Sequence, residues 1–245
     1  MRVLKCQIST SKIVICALVL INLLLIGIVV VSERRGHVFG SALERRNMVI
    51  QNDQSLPDYW ARKGWENTVK KMQIDFDVAF FGNSITCGSD FQKFFPEKKI
   101  INLGYGGDNI RGMIRRVPML QAAHPHKIFI MAGTNDLFHI SIDEYEERYN
   151  LLLDLIHDSI PAAQIYLQSV LPMNQDMNPS APTNEKIMEA NERIKNIAHT
   201  RRMTYIDLYS EYEKNGKLPQ SVTKDGVHIK DYEPWAKKIE QFVME

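Results

Sequence analysis

Residues 77–84 read Asp-Val-Ala-Phe-Phe-Gly-Asn-Ser, a short apolar run that ends in a turn. The apolar residues follow one another without alternation, which is typical of a strand covered on both faces. Similar runs occupy residues 99–103, 127–132, 164–170 and 203–208. The five runs therefore predict five strands of one buried, parallel sheet.

Longer amphipathic segments separate or follow these runs. Ser141 and Glu144 form a capping box that opens a helix running to about Asp158. Two more helices are predicted, one from Asn184 to about Thr200 and one over Tyr232–Val243. This alternation predicts an α/β fold in which helices cover both faces of a parallel sheet.

The first 31 residues differ from the rest of the chain. Ile13–Val31 contains no charged residue, and as a helix it would extend about 28 Å, close to the thickness of a bilayer core. Arg2, Lys5 and Lys12 precede it, which favours a cytoplasmic N-terminus. We expect residues 1–31 to be a transmembrane anchor or a cleaved signal helix. In both cases the following domain lies outside the cytoplasm. An anchor would keep it at the membrane, and a cleaved signal would make it secreted or periplasmic.

Beyond this segment, we expect a polar linker over residues 32–56 and one domain over residues 57–245. The 30 basic and 29 acidic residues nearly cancel, which gives no indication of a nucleic-acid partner. Cys87 is the one cysteine of the predicted domain, so an internal disulfide and a Cys-x-x-Cys zinc or redox site are excluded there. We expect Cys87 to be a buried structural residue.

Four polar blocks follow predicted strands, at the edge of the sheet where loops of a parallel fold converge. They occupy residues 82–85, 102–108, 133–136 and 225–228 and read Gly-Asn-Ser-Ile, Asn-Leu-Gly-Tyr-Gly-Gly-Asp, Gly-Thr-Asn-Asp and Asp-Gly-Val-His. Each block alone is common in turns. Together they supply a hydroxyl, an imidazole, a carboxylate, an amide and a glycine-rich backbone, the groups that acyl transfer to a serine requires.

In order and type, the four blocks resemble the motifs of the SGNH (GDSL-type) hydrolase family, over about Asp77 to His228. The second block is most similar to the group that includes the catalytic subunits of platelet-activating-factor acetylhydrolase and bacterial carbohydrate acetylesterases. The resemblance implies a flavodoxin-like three-layer α/β/α sandwich. One position departs from the family, because Asn83 stands where the first block usually has Asp.

The resemblance also implies a role for individual residues. Ser84 would be the nucleophile, His228 its general base, and Asp225 the carboxylate that orients the histidine. The backbone N–H groups of Ser84 and Gly107 and the side chain of Asn135 would form the oxyanion hole.

We therefore expect a serine esterase that hydrolyses a small acyl ester, an acetyl group on a carbohydrate being favoured. Two alternatives stay open at this point: a membrane-associated lipase or lysophospholipase, and a catalytically silent ligand-binding domain. No metal or cofactor is expected, since the pair His124 and His126 has no evident partner ligands and is interpreted as a turn entering the third strand.

Overall fold

The computed structural model describes residues 75–245. The predicted anchor or signal helix, the linker and the first residues of the predicted domain lie outside the described residues. Within residues 75–245, none of the helices combines the length and the apolar character that a membrane crossing requires.

Five strands form one parallel sheet in the order β2-β1-β3-β4-β5. This is the strand order of flavodoxin-like folds, and it confirms the predicted parallel sheet. Each strand lies largely within one predicted run, ending one to two residues away where the bounds differ. The strands are β1 Val78–Gly82, β2 Ile100–Gly104, β3 Lys127–Met131, β4 Gln164–Gln168 and β5 Thr204–Ile206.

Helices connect and follow the strands. The predicted helix start at Ser141 is present, because the Ser141 hydroxyl accepts a hydrogen bond from the backbone N–H of Glu144 at 3.2 Å, while the Glu144 carboxylate pairs with Arg148. The α-helices are α1 Ser84–Cys87, α2 Phe91–Phe94, α3 Ile110–Ala123, α4 Ile142–Ser159, α5 Asn184–Arg201, α6 Tyr209–Tyr212 and α7 Glu233–Met244, and Gln220–Val222 is a 3₁₀ turn.

The sheet is covered on both faces. On one face, the ring of Phe80 stacks on Phe91 of α2 with 3.7 Å between centroids, and Phe91 meets the edge of Trp235 of α7. On the other face, the guanidinium of Arg116 of α3 lies 4.8 Å from the ring centroid of Phe81, and α3, α4 and α5 pack side by side. Every residue of β1 is buried, which explains why its sequence shows no alternation.

Cys87 corrects one expectation, because its side chain is exposed rather than buried. The inward side of α1 is taken by Ile85 and Thr86. Because successive side chains of a helix are rotated by about 100°, the following side chain turns towards solvent.

Candidate active site

Ser84 is the first residue of α1, directly beyond the turn that ends β1. The preceding residue, Asn83, caps this helix, since its side-chain oxygen accepts a hydrogen bond from the N–H of Ile85 at 2.9 Å. An aspartate supplies the same acceptor, so the departure from the family motif at this position preserves the cap. The Asn83 side chain is buried, and its amide nitrogen has no hydrogen-bond partner in the described part of the chain.

A hydrogen-bonded row joins Ser84 to two residues near the C-terminus. The Oγ atom of Ser84 lies 2.8 Å from Nε2 of His228, and Nδ1 of the same ring lies 2.6 Å from Oδ2 of Asp225. With the ring proton on Nδ1, facing the carboxylate, Nε2 is free to accept the serine proton. The structure therefore brings these three sequence-predicted residues together, although 144 positions separate the serine from the histidine.

The loop that carries the histidine is ordered by local hydrogen bonds. The second carboxylate oxygen of Asp225 accepts from the backbone N–H groups of Val227 at 3.0 Å and His228 at 2.8 Å. Gly226 has a φ of 83°, and a Cβ there would lie 2.6 Å from the backbone oxygen of Asn174. Glycine is therefore required at this position both by its backbone conformation and by the close approach.

Burial raises the pKa of Asp225, but hydrogen bonds from the backbone and ring of His228 and from Val227 outweigh it and lower the pKa to about 2. The carboxylate is thus charged throughout the neutral range. The side chains of Asp225 and His228 are 49% and 43% exposed, so the imidazole is open to solvent and to a bulky substrate.

Two of the three predicted oxyanion donors, Gly107 and Asn135, lie on neighbouring loops. Gly107 is exposed and has a φ of 71°, a left-handed conformation that favours glycine. The side-chain amide of Asn135 donates to the backbone oxygen of Asp108 at 2.6 Å. Asn135 is therefore fixed against the residue that follows Gly107, and an amide NH₂ has a second hydrogen for another acceptor.

The turn that carries Asn135 rests on a residue that the motifs did not indicate. The hydroxyl of Tyr145 donates to the backbone oxygen of Ala132 at 3.0 Å. The ring lies so close beneath Gly133 that a Cβ there would come within 2.5 Å of it, and the φ of Gly133 is 121°. The glycine of this block and a tyrosine of α4 thus form one packing unit, and only the glycine was visible as a signal in the sequence.

Asp136 connects the same turn to α3. Its Oδ2 accepts the N–H of Ile110, the first residue of that helix, at 3.0 Å. Burial raises the pKa of the carboxyl to about 6, although this hydrogen bond and the charge of Arg148 lower it. Within residues 75–245, no group of three or more His, Cys, Asp or Glu side chains is placed to hold a metal ion.

Comparison with known proteins identifies a family and a shared fold. The family model described as the GDSL-like lipase/acylhydrolase family matches residues 80–231. A multidomain esterase from Ruminococcus flavefaciens is 26% identical over 123 residues, which cover 49% of this chain and 16% of that protein. The chain therefore matches only a small part of that relative.

Solved structures share the fold. A GDSL-like lipase from Bacteroides thetaiotaomicron superposes with a TM-score of 0.63 at 23% identity, covering 75% of this chain and 97% of that one. A catalytic mutant of an acetylxylan esterase from Geobacillus stearothermophilus gives a TM-score of 0.56 at 20% identity, with 70% and 96% covered. At these identities the likeness concerns the fold.

Proposed function

The chain belongs to the GDSL-like lipase/acylhydrolase family, a family of carboxylic ester hydrolases, and on that premise we propose that it is a serine esterase that removes a small acyl group, an acetyl ester on a carbohydrate. The observation that carries the proposal is the row of hydrogen bonds from Ser84 through His228 to Asp225. A hydroxyl, an imidazole and a carboxylate in this order form the arrangement that activates a serine for acyl transfer.

Acylation begins at the serine hydroxyl. As the Oγ of Ser84 attacks the ester carbonyl carbon, its proton passes to Nε2 of His228, 2.8 Å away. Asp225 holds the ring by Nδ1 and compensates the positive charge of the imidazolium. The tetrahedral intermediate then collapses: its bond to the alcohol oxygen breaks, and the histidine returns the proton to the leaving alcohol.

The carbonyl oxygen becomes negative in this intermediate. The N–H groups of Ser84 and Gly107 and the side chain of Asn135 donate to it, and each preorganised donor contributes about 2.7–4 kcal/mol in such sites. Deacylation repeats the sequence with water as the nucleophile. His228 takes a proton from the water as the water oxygen bonds to the acyl carbon, and it returns this proton to Oγ of Ser84 as the bond between Oγ and the acyl carbon breaks and the acid leaves.

The surface near the site favours a short acyl chain over a long one. Among residues 75–245, the exposed large apolar side chains are Phe94, Met188 and Met244. They belong to α2, α5 and α7 and not to the loops that carry the reacting groups. A lipase that takes long chains would need an apolar surface beside its serine to remove them from water.

A carbohydrate as the alcohol is supported by two observations. The half-exposed histidine and aspartate leave space for a large polar substrate at the surface, and one structural neighbour is an acetylxylan esterase.

Chain-length dependence of ester turnover tests this function. The full-length protein should hydrolyse p-nitrophenyl acetate with a higher kcat/KM than the octanoate or palmitate, and should release acetate from acetylated xylan. The matched control is Ser84→Ala, which should be inactive on all of them. Preference for the palmitate would favour a lipase instead, and no turnover that depends on Ser84 would favour a silent binding domain.

A lipase or lysophospholipase is the second candidate because of the apolar run at Ile13–Val31.

For residues 1–74 the proposal rests on the sequence alone: residues 1–31 anchor the chain, 32–56 form a linker, and 57–245 form the catalytic domain outside the cytoplasm. The anchored protein should sediment with membranes, resist carbonate extraction and dissolve in detergent. A mature N-terminus near Glu33, found by mass spectrometry, would instead show a cleaved signal and a secreted or periplasmic enzyme.

A further inference from the structure

One charged pair lies beneath the loops of the candidate site. The side chains of Arg116, on α3, and Asp108 are 2% and 3% exposed. The Nε atom of the guanidinium donates to Oδ2 of the carboxylate at 2.7 Å, and one terminal nitrogen lies 2.5 Å from the same oxygen. Such a buried pair is weak evidence for a role in stability, because apolar residues of similar volume often replace it without loss.

The rest of the guanidinium reaches the ends of two strands. One terminal nitrogen of Arg116 donates to the backbone oxygen of Leu103 in β2 at 2.7 Å, and the other donates to that of Gly82 in β1 at 3.0 Å. Gly82 stands two residues before the candidate nucleophile, Ser84. A single planar cation therefore joins the end of the strand before the serine to the end of the strand before the glycine-rich loop.

Asp108 extends these connections to the other two candidate donors. Its backbone oxygen accepts a hydrogen bond from the side-chain amide of Asn135 at 2.6 Å. It also follows Gly107 directly in the chain, so a peptide bond links the two residues. Its backbone N–H donates to the oxygen of Tyr105 at 3.2 Å, which closes the loop into a turn. Each of the three proposed donors is thus within two residues of, or hydrogen-bonded to, a residue that the guanidinium contacts.

We propose that the buried pair of Arg116 and Asp108 positions the oxyanion hole. Arg116 is a positioning residue, since it contacts the backbone and the carboxylate that hold the donors, while the donors contact the substrate. The inference rests on the proposed esterase function. It deepens that function by assigning a role to two residues outside the triad.

The geometry of the guanidinium explains why arginine stands here. Arg116 donates at once to a carboxylate and to two carbonyl oxygens, which requires a rigid fork with several N–H groups. A lysine keeps the charge but is a single point with three donors on a flexible chain. Arg116→Lys should therefore preserve the pairing with Asp108 while it loosens the strand ends and the loop.

A double-mutant cycle on the full-length protein in mild detergent tests the proposal, with p-nitrophenyl acetate as substrate. Asn135→Ala alone should lower kcat by about 10²–10³-fold, as expected for the loss of an oxyanion donor. Arg116→Lys alone should lower kcat at least ~10-fold with KM nearly unchanged, the pattern of an interaction made only in the transition state. In the Arg116→Lys background, Asn135→Ala should cost less than about 10-fold, because the amide is already misplaced.

The matched control is Arg201→Lys. Arg201 also pairs with a carboxylate and an amide, those of Asp154 and Asn150, but it does so at the surface between α4 and α5. The kcat of the Arg201→Lys variant should therefore stay within about twofold of wild type. If Arg116→Lys does not fold, as judged by near-UV circular dichroism, the same cycle is run with the neutral pair Arg116→Gln and Asp108→Asn.

Two results would overturn the inference while the esterase function stands. The first is wild-type kcat in the folded Arg116→Lys variant or in the folded variant that carries Arg116→Gln and Asp108→Asn. The second is an Asn135→Ala effect of the same size with and without the change at Arg116. The failure of the function itself is distinct. In that case the wild type shows no ester turnover that Ser84→Ala removes, and the positioning role falls with it.

Discussion

The carboxyl group of Asp136 should make the stability of the fold depend on pH, because it is buried and its negative charge is only partly compensated by hydrogen bonds and nearby positive charge. The side chain is 0% exposed, Oδ2 accepts one backbone N–H, and Oδ1 has no hydrogen-bond partner within residues 75–245. The nearest positive charge, on Arg148, lies 3.6 Å from Oδ1. Ionisation in the folded state is therefore unfavourable, and burial raises the pKa from 3.8 to about 6.

The sign of the pH dependence follows from proton binding. Between pH 4 and 6 the folded state binds more protons at Asp136 than the unfolded state, so the free energy of unfolding falls as the pH rises through this window. At about 1.36 kcal/mol per pH unit, the rise in pKa from 3.8 to about 6 corresponds to roughly 3 kcal/mol above pH 6.

Asp136→Asn removes this cost. The amide oxygen still accepts the N–H of Ile110, but the side chain cannot ionise. The variant should match the wild type near pH 4 and be more stable by up to about 3 kcal/mol at pH 7–8. Urea unfolding of the full-length protein in mild detergent, repeated from pH 4 to 8, measures the difference. Asp143→Asn, at a side chain that is 86% exposed, is the control and should show no comparable trend. A difference that is constant with pH, or that decreases as the pH rises, would refute the reasoning.

Three further predictions concern the candidate site. Gly107→Ala should lower kcat on p-nitrophenyl acetate and destabilise the fold in urea by about 1–2 kcal/mol, because the new Cβ meets no atom within 4 Å but the φ of 71° is strained for alanine. Asp225→Asn should lower kcat by about 10²–10⁴-fold because the ring of His228 loses its orienting carboxylate. In the wild type the pKa of Asp225 is lowered to about 2. Urea titrations should therefore show that the stability provided by this carboxylate is lost only as the pH falls from 3.8 towards 2. Dialysis against EDTA should leave the esterase rate unchanged, whereas a loss that one divalent ion restores would contradict the proposed mechanism.

Much of the fold was predictable because its strands are buried on both faces. A run such as Val78–Phe81 is apolar without interruption only where helices cover both sides of a sheet. The capping box at Ser141 marked the start of α4 within one residue. Helix α3 was not predicted. It contains Pro118 in its interior and begins directly after the glycine-rich loop. Both features usually indicate loops or helix breaks.

The residues of the candidate site were likewise predictable only in part. Its motifs stand at the ends of strands, where a parallel fold gathers its loops, so Ser84 and His228 were expected to meet. The supporting residues carry no such local signal. Arg116 is one of many basic residues in the sequence, and its role depends on burial beneath two strand ends that are far apart in the chain. The exposure of Cys87 depends likewise on which side of α1 faces the sheet, and Ile85 and Thr86 take that side.

Covalent labelling of the nucleophile tests the central claim most directly. The full-length protein is treated with a fluorophosphonate, which reacts with an activated serine, and the adduct is located by peptide mass spectrometry. One adduct per chain should form on Ser84, should be absent in Ser84→Ala, and should form much more slowly in His228→Ala. Ser89→Ala, at a nearby buried hydroxyl, should label like the wild type. An adduct that persists in Ser84→Ala, or no adduct in the folded wild type, would contradict the proposed mechanism.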